Sequence, residues 1–263
     1  MRKFRILGWM LLLSLLAACS APLQSADPTT AQPGLTESPH QSAPAGENSP
    51  VWEIAEQVYF EESDDPPYEI DARWPHVEGD AVIAAGFNPE IDRRVNGVIT
   101  AFLEDIPKTD SGQGDLATST LAVDYDLALA GDGLVSVYLR FETYIAISAH
   151  PFPSSQALNY SLEQGRFLTL ADLFLPEADP LDLLLAWVEP DLVSRDLGYT
   201  PGVAASVLAS RANWNLLPEG LRLNFDVYEV GPYAAGPQYV LIPWGELAPF
   251  LDVDGPVAAL FTD

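Results

Sequence analysis

Hydrophobic and polar residues alternate along much of the chain after residue 50, and this two-residue period predicts β-strands. The first two strands are expected at 51–61 and 68–74, with an acidic turn between them. Two more, at 121–127 and 135–141, flank Gly131-Asp132-Gly133, which predicts a long hairpin. The remaining strands are expected at 158–162, 212–216, 221–227 and 238–242.

Apolar residues spaced three and four apart predict helices between these strands. The first is expected to begin at Asn88-Pro89, because asparagine can cap a helix and proline suits the first helical position, and to end at Ile106. Further helices are expected at 170–174, where Thr169–Asp172 resembles a capping box, after Asp179-Pro180, where Pro190 should kink or end the helix, and after Thr200-Pro201.

Strands and helices in this order predict an α+β fold. We expect two small α+β subdomains, at 51–150 and 151–263, with antiparallel sheets and packed helices. Together they are long enough to bury a core without disulfides, since a chain of this size hides roughly 70% of its surface on folding.

The first 18 residues resemble a secretory signal peptide. Met1–Arg5 is basic, and the apolar run Ile6–Ala18 is shorter than the ~20 residues that span a bilayer. Cys19 is the only cysteine, and with Leu16-Ala17-Ala18 it resembles a bacterial lipobox. We therefore expect lipid attachment at Cys19 and an extracytoplasmic protein anchored to the cell membrane or envelope. The alternatives are a soluble secreted protein with an incidental cysteine and a buried thiol.

The segment after Cys19 has the composition of a spacer. Ser20–Pro50 contains six prolines, five serines and three threonines, and it has no aromatic or β-branched aliphatic residue. Such a segment cannot bury enough apolar surface to offset the entropy lost on ordering. We therefore expect 19–50 to be a lipidated cysteine and a linker that holds the folded part away from the membrane.

The charge of the chain limits its partners. It has 38 acidic and 12 basic residues, for a net charge of −26, and three of the basic residues lie in the signal peptide, which leaves nine. Nucleic-acid binding requires many Lys and Arg residues to displace phosphate counterions, so this function is excluded. Anionic lipid headgroups would not attract such a surface either.

Common catalytic motifs are absent from the chain. It has no GxSxG elbow, SxxK motif, HExxH motif or glycine-rich phosphate loop. His76 and His150 follow no metal-site spacing, so we expect no metal and no cofactor, and His76 is interpreted as a hydrogen-bonded surface residue. Asp124 and Asp126 share one face of a strand, which alternation makes the exposed face. We therefore expect a protein that is not an enzyme.

Two loops are rich in aromatic residues. Residues 228–237 place Tyr228 and Tyr233 among glycines and prolines, and a similar stretch holds Tyr144, His150 and, after Pro151, Phe152. Tyrosines in loops shaped by glycine are typical of binding surfaces. Tyr144, His150, Tyr228 and Tyr233 are therefore the candidate ligand-binding residues, with the alternative that the tyrosines only cover the core.

Two runs resemble an extracytoplasmic bacterial domain of unknown function. Residues 160–174 (YSLEQGRFLTLADLF) resemble its strand, turn and LTLxDLF segment, and residues 228–237 (YEVGPYAAGP) with 240–247 (VLIPWGEL) resemble its closing segment. This domain forms the outer half of the RsiV-type anti-sigma factor, which senses lysozyme, and it accompanies the PdaC-type peptidoglycan deacetylase. In both it follows a smaller α+β domain, which 66–150 would match in order and size.

The resemblance implies a two-part α+β fold and, from the anti-sigma relative, a surface that binds lysozyme. The cytoplasmic sigma-binding segment of that relative is not expected here, because only Met1–Arg5 precedes the apolar run. The Asp/His/His metal site of the deacetylase has no counterpart either. The segment equivalent to 147–151 commonly has glycines before its histidine, whereas Ser148-Ala149 precede His150.

These observations leave three hypotheses of function. The first is a surface-anchored, non-catalytic binding lipoprotein that recognises a lysozyme-like protein or a cell-wall component. The second is a hydrolase that modifies the cell wall, or its accessory module, with carboxylates that the sequence does not identify. The third is a purely structural envelope lipoprotein. Two convergent carboxylates with shifted pKa values in a pocket would favour the enzyme, whereas an exposed tyrosine surface would favour the binding protein.

Overall fold

The computed structural model describes residues 52–107 and 117–261, which fall within one compact unit. The predictions for the signal peptide, for Cys19 and for the linker lie outside the described residues. Among the described residues, no helix is both long and apolar enough to cross a membrane. The described residues form a six-stranded sheet, a three-stranded sheet and four α-helices, which confirms the predicted α+β class.

The larger sheet contains the first six strands in chain order, from β1 at one edge to β6 at the other. Its neighbouring strands run antiparallel except for β2 and β3, which are parallel. A parallel pair needs a crossover, and helix α1 provides it, so the larger sheet departs from the predicted antiparallel arrangement at this one pair. The strands are β1 Glu53–Asp64, β2 Pro67–Glu78, β3 Ser119–Gly131, β4 Leu134–Tyr144, β5 Phe152–Ser161 and β6 Arg166–Phe167.

Helix α1, Ala81–Asp105, begins eight residues before Pro89, the predicted first helical residue. Its N-cap is Asp80, whose carboxylate accepts hydrogen bonds from the backbone N–H groups of the first turn at 2.8 and 3.1 Å. The Asn88 side chain instead bonds the backbone N–H and C=O of Val77 on β2, at 2.8 and 3.0 Å. Pro89 therefore lies inside the helix. Asparagine and proline are both suited to a helix start, but the Asn88 side chain forms its hydrogen bonds with β2 and does not cap a helix.

The predicted hairpin at Gly131-Asp132-Gly133 is confirmed by β3 and β4. The next strand, β5, is longer than predicted and pairs with β4 over ten residues. The six-stranded sheet therefore extends past residue 150, where the sequence placed the division between subdomains, because the loop after β4 connects two strands of the same sheet.

We call the elements that follow β6 in the chain the second layer. This layer contains a three-stranded antiparallel sheet and three α-helices. Its strands are β7 Trp214–Leu217, β8 Gly220–Phe225 and β9 Gln238–Pro243, and its helices are α2 Pro180–Ser194, α3 Val203–Ser210 and α4 Trp244–Leu247. The capping box Thr169–Asp172 is confirmed and begins a 3-10 helix, Leu170–Leu173. Helix α2 starts after its Asp179 cap as predicted, and it continues past Pro190. Helix α3 begins three residues after the predicted start at Thr200.

Two groups of buried hydrophobic residues hold these layers together. The first lies between α1 and the six-stranded sheet, and it includes Phe87, Val95 and Phe141. The second surrounds the three-stranded sheet and α2, and it includes Leu184, Leu223 and Ile242. The second group also contains Leu129 and Leu134 from β3 and β4, so the end of the larger sheet packs against the smaller one.

Candidate functional site

Four aromatic side chains from two distant segments meet on the surface. We call His150, Phe152, Tyr228 and Tyr233 the aromatic patch. The His150 and Tyr233 ring centroids are 4.0 Å apart, those of Tyr228 and Tyr233 5.6 Å, and those of Phe152 and Tyr228 6.5 Å. The four rings therefore form a continuous row rather than separate surface residues.

The patch is held by the backbone and by one hydrogen bond between the segments. Tyr233 begins a short 3-10 helix, and its phenolic O–H donates to the Pro151 carbonyl at 2.8 Å. Nδ1 of His150 also lies 2.8 Å from that carbonyl oxygen. Tyr228 has a φ of +67°, a left-handed conformation that is uncommon for a large side chain. This conformation places its ring beside Phe152.

The rings remain accessible although they touch each other. Tyr228 is 56% exposed and Phe152 is 47% exposed. Clustered aromatic rings with open faces and a polar tip can stack against a partner's side chains or against flat apolar groups, and they lose little entropy because they are already ordered. The geometry suits binding.

The structure brings together three of the four candidate residues that the sequence identified. Tyr144 ends β4 beside Thr143, which pairs with Phe152, but among the described residues no ring contact joins it to the patch. Phe152 was not among the candidates, and its place two residues after His150 in an aromatic stretch is the signal that could have identified it.

A buried polar cluster fixes the segment that carries Tyr228. Asp226, two residues earlier, accepts hydrogen bonds from the backbone N–H of Ser155 at 3.1 Å and from its hydroxyl at 2.5 Å. Arg211 donates to the same carboxylate at 2.6 Å. Asn213 accepts from the Ala157 N–H at 2.7 Å. Asp226 and Asn213 of the second layer therefore accept hydrogen bonds from N–H groups along the edge of β5. A neighbouring strand would otherwise provide these acceptors.

Glu229 extends this cluster. Its carboxylate accepts from the Asp226 N–H at 2.7 Å and lies 3.7 Å from Arg211. Burial raises the pKa of Glu229, which the hydrogen bond and Arg211 partly oppose. This cluster could not be predicted from the sequence, because Ser155 and Asp226 are 71 positions apart and each is an ordinary polar residue by itself.

A cleft of about 430 Å³ lies along β5 between α1 and the second layer. Its polar side chains include Glu90, Arg94, Gln156 and Arg211. Glu90 is its one acidic residue, and hydrogen bonding from Arg93, with a further contribution from Arg94, lowers the pKa of Glu90 to about 2 against the cost of burial. The charges in this cleft are therefore paired within the protein.

The remaining chemical candidates have structural partners. His76 Nε2 and Trp74 Nε1 both meet Asp92 Oδ1, at 2.6 and 2.8 Å, which joins β2 to α1. Asp124 and Asp126 lie exposed on the sheet and share Arg140, at 3.1 and 3.5 Å. Within the described ranges, no three His, Cys, Asp or Glu side chains lie together in a way that could hold a metal ion.

Part of the chain matches a known protein family. Residues 171–245 match the family described as "Protein of unknown function (DUF3298)". The chain carries a DUF3298 domain. The domain contains α2, α3 and the strands β7 to β9, together with Tyr228 and Tyr233, whereas His150 and Phe152 lie before it. The aromatic patch is therefore formed jointly by the DUF3298 domain and the preceding β4–β5 segment.

Solved structures of DUF3298 proteins share the fold. A DUF3298 family protein from Pseudomonas aeruginosa PAO1 is 15% identical, with a TM-score of 0.55 over 78% of this chain and 95% of that protein. A member of the family from Bacteroides fragilis NCTC 9343 is also 15% identical, with a TM-score of 0.53 over 81% and 97%. At this identity the likeness concerns the fold. A comparison with curated proteins gives no match.

The resemblance of 160–174 and 228–247 to a bacterial domain of unknown function is thus confirmed at the level of the DUF3298 domain. Its relation to the RsiV-type and PdaC-type proteins stays a prediction.

Proposed function

We propose that this chain is a non-catalytic binding lipoprotein of the bacterial envelope, which recognises a basic protein such as lysozyme through the aromatic patch. The observation that carries the proposal is the row of rings formed by His150, Tyr233, Tyr228 and Phe152. Interfaces gain most of their binding energy from a few aromatic anchors, and these four are already in contact before a partner arrives.

The charge of the chain determines which partner fits. With 38 acidic and 12 basic residues, its field attracts cationic proteins over long distances. Such steering can raise association rates by ~10- to 1000-fold at low salt. Lysozymes of animal secretions are strongly basic, and the resemblance to the lysozyme-sensing anti-sigma factor leads to the same class of partner. Charge provides the approach, and the aromatic patch provides the selectivity.

The lipobox around Cys19 supports the proposed location. Lipid attachment would hold the chain at the envelope, and the 20–50 linker would let the folded part reach partners away from the bilayer. A protein placed in this way meets secreted proteins and wall components before they reach the membrane.

The cleft along β5 gives little support to the alternative function, a hydrolase that modifies the cell wall. A general acid at neutral pH needs a raised pKa, whereas the pKa of Glu90 is lowered to about 2 by its arginine partners. Glu229 has a raised pKa, but its carboxylate is used to bond the backbone of Asp226. The aromatic patch is therefore the better basis for a function.

Titration with two basic proteins at rising salt tests the proposal. The full chain with Cys19→Ala is titrated with lysozyme and with cytochrome c, which is also strongly basic. We expect lysozyme to stay bound at about 0.15 M salt, where the Debye length is about 8 Å, and cytochrome c to be released. Equal binding and equal release of both proteins would show that the acidic surface acts by charge alone. A soluble peptidoglycan fragment is titrated in the same way. If it binds and lysozyme does not, the partner is a wall component and not a basic protein.

A further inference from the structure

In the part of the chain that the structure describes, the first strand of the larger sheet has an outer edge without a strand partner. β1 pairs with β2 along twelve consecutive residues, without a bulge, and among the described residues no other strand lies beside it. The outward N–H and C=O groups of a long edge strand are a template for another strand. This edge lies opposite to β5 and β6 in the sheet order, so it is separate from the aromatic patch.

β1 lacks most of the devices by which proteins block such an edge. Its sequence, EIAEQVYFEESD, contains no proline, glycine or lysine. Val58 and Phe60 lie on one face of the strand and are 61% and 57% exposed, and Tyr59 between them is also exposed. A row of three exposed β-forming residues at the centre of an edge strand suits pairing with a partner strand.

The charges on β1 determine which strand can pair with it. The apolar centre is flanked by five acidic residues, and no basic residue lies within the strand: the acidic residues are Glu53, Glu56, Glu61, Glu62 and Asp64. In an antiparallel pair of two copies centred on Tyr59, Glu56 of each copy would lie opposite Glu62 of the other. Like charges placed opposite each other are destabilising, so the strand disfavours a second copy of itself.

We propose that the outer edge of β1 is a docking site for an extended basic segment of a partner protein, which adds a seventh strand to the sheet. Main-chain hydrogen bonds would provide the affinity, and alternate side chains would provide the selectivity. The partner strand carries apolar residues opposite Val58 and Phe60, and lysine or arginine opposite Glu56 and Glu62. This site would work whether or not the aromatic patch binds lysozyme.

A synthetic peptide tests the site directly. The probe has about nine residues, with valines at the centre and lysines alternating with threonines at both ends, which matches most of β1 at ~3.4 Å per residue. Its affinity for the full chain with Cys19→Ala is measured by fluorescence anisotropy. Amide hydrogen exchange followed by mass spectrometry locates it, and we expect slower exchange within 53–64 when the peptide is bound.

The controls separate strand pairing from charge attraction. The same peptide with alternate backbone nitrogens methylated keeps its charges and side chains but loses donors, and we expect at least about tenfold weaker binding. Val58→Lys should weaken binding by about tenfold as well, because it places a like charge in the path of the basic strand. Val82→Lys, at a position that is 79% exposed on α1, is the matched control and should bind as the parent does.

Several outcomes would overturn the proposal. Equal binding of the methylated peptide, or protection outside 53–64, would mean that charge alone attracts the probe. Loss of binding in Val82→Lys equal to that in Val58→Lys would mean the same. Amides of 53–64 that are protected on the outer edge without peptide would show that another part of the chain, or a second copy if the protein is dimeric, already occupies the edge.

Discussion

Asp226 connects the core of the protein to its proposed binding surface. Its buried carboxylate holds Ser155 on β5 and Arg211, and it lies two residues before Tyr228. Residue types alone identified Tyr228, Tyr233 and His150 as candidates, since rings among glycines and prolines are a local signal. Asp226 gave no such signal, because its role depends on contacts with a strand that is distant in the sequence.

Removing the Asp226 carboxylate should destabilise the fold more than removing an exposed one. We expect Asp226→Ala to cost about 3 kcal/mol of unfolding free energy, because it leaves the buried Ser155 groups without an acceptor and Arg211 without its closest partner. Asp124→Ala, which removes an exposed ion pair with Arg140, should cost less than ~1 kcal/mol. Urea unfolding of both variants measures the difference, and equal costs would contradict this role.

Glu90 should contribute to the acid sensitivity of the fold. Its pKa is lowered to about 2 from an ordinary value of 4.5, chiefly by hydrogen bonding from Arg93. A carboxylate with a lowered pKa in the folded state stabilises the protein above pH 4.5, and this contribution is lost as the pH falls towards 2. Glu90→Gln should therefore lose less stability than the parent over that interval.

Urea unfolding midpoints measured from pH 5 to pH 2, about the range over which the Glu90 pair is lost, provide the test. Arg93→Gln is the companion variant, and it should flatten the curve in the same interval because it removes the partner instead of the carboxylate. Curves for both variants that parallel the parent curve would show that this pair does not stabilise the fold.

At the scale of elements, the local patterns predicted most strands and helices, and long-range contacts set their limits. The alternation and the turn residues were sufficient to predict the β3–β4 hairpin, because hairpin partners are adjacent in the chain. The start of α1 was misplaced because Asn88 bonds to Val77, a contact with another element. The parallel pairing of β2 with β3 was not predictable from periodicity, which does not specify strand neighbours.

Two glycines of α1 give opposite predictions for the same substitution. A Cβ at Gly86 would overlap the Tyr160 hydroxyl, whereas a Cβ at Gly97 would meet no atom within 4 Å. Gly97→Ala should stabilise the protein by ~0.5–1 kcal/mol, because alanine favours a helix. Gly86→Ala should instead destabilise it by about 1–3 kcal/mol, because Tyr160 is buried and cannot move away freely.

Thermal or urea unfolding of Gly86→Ala and Gly97→Ala, measured side by side, gives the sign of each effect. A stabilising Gly86→Ala would show that α1 does not approach β5 as closely as described. A destabilising Gly97→Ala would place position 97 in a contact rather than at the exposed surface of the helix.

At the scale of the whole molecule, a predicted lipid anchor and linker precede a folded part whose two layers share the aromatic patch. Composition predicted the acidic character, and the resemblance anticipated the DUF3298 domain. The meeting of His150 with Tyr233 could not be predicted, because it depends on how the second layer packs against β5. The net charge depends on the whole sequence and Cys19 lies before the described residues, so both properties are tested on the full chain.

Cys19→Ala should move the protein from the membrane to the soluble fraction without unfolding it. The physical reason is that acyl chains on one cysteine provide the anchoring energy, and that Cys19 begins the segment predicted from its composition to be a linker. Fractionation with a carbonate wash, together with circular dichroism of the soluble form, measures both properties. A variant that stays in the membrane after the wash, although mass spectrometry shows that Ile6–Ala18 has been removed, would contradict lipid anchoring at Cys19.

A calorimetric comparison of three proteins shows whether the aromatic patch is the recognition surface. Lysozyme is titrated into the Cys19→Ala chain, into Tyr228→Asn, which suits the left-handed backbone there, and into Tyr239→Asn, where a 60% exposed tyrosine lies outside the patch. We expect about tenfold weaker binding for Tyr228→Asn, about 1.4 kcal/mol, and unchanged binding for Tyr239→Asn. Equal affinity of all three proteins for lysozyme would show that the aromatic patch is not the recognition surface.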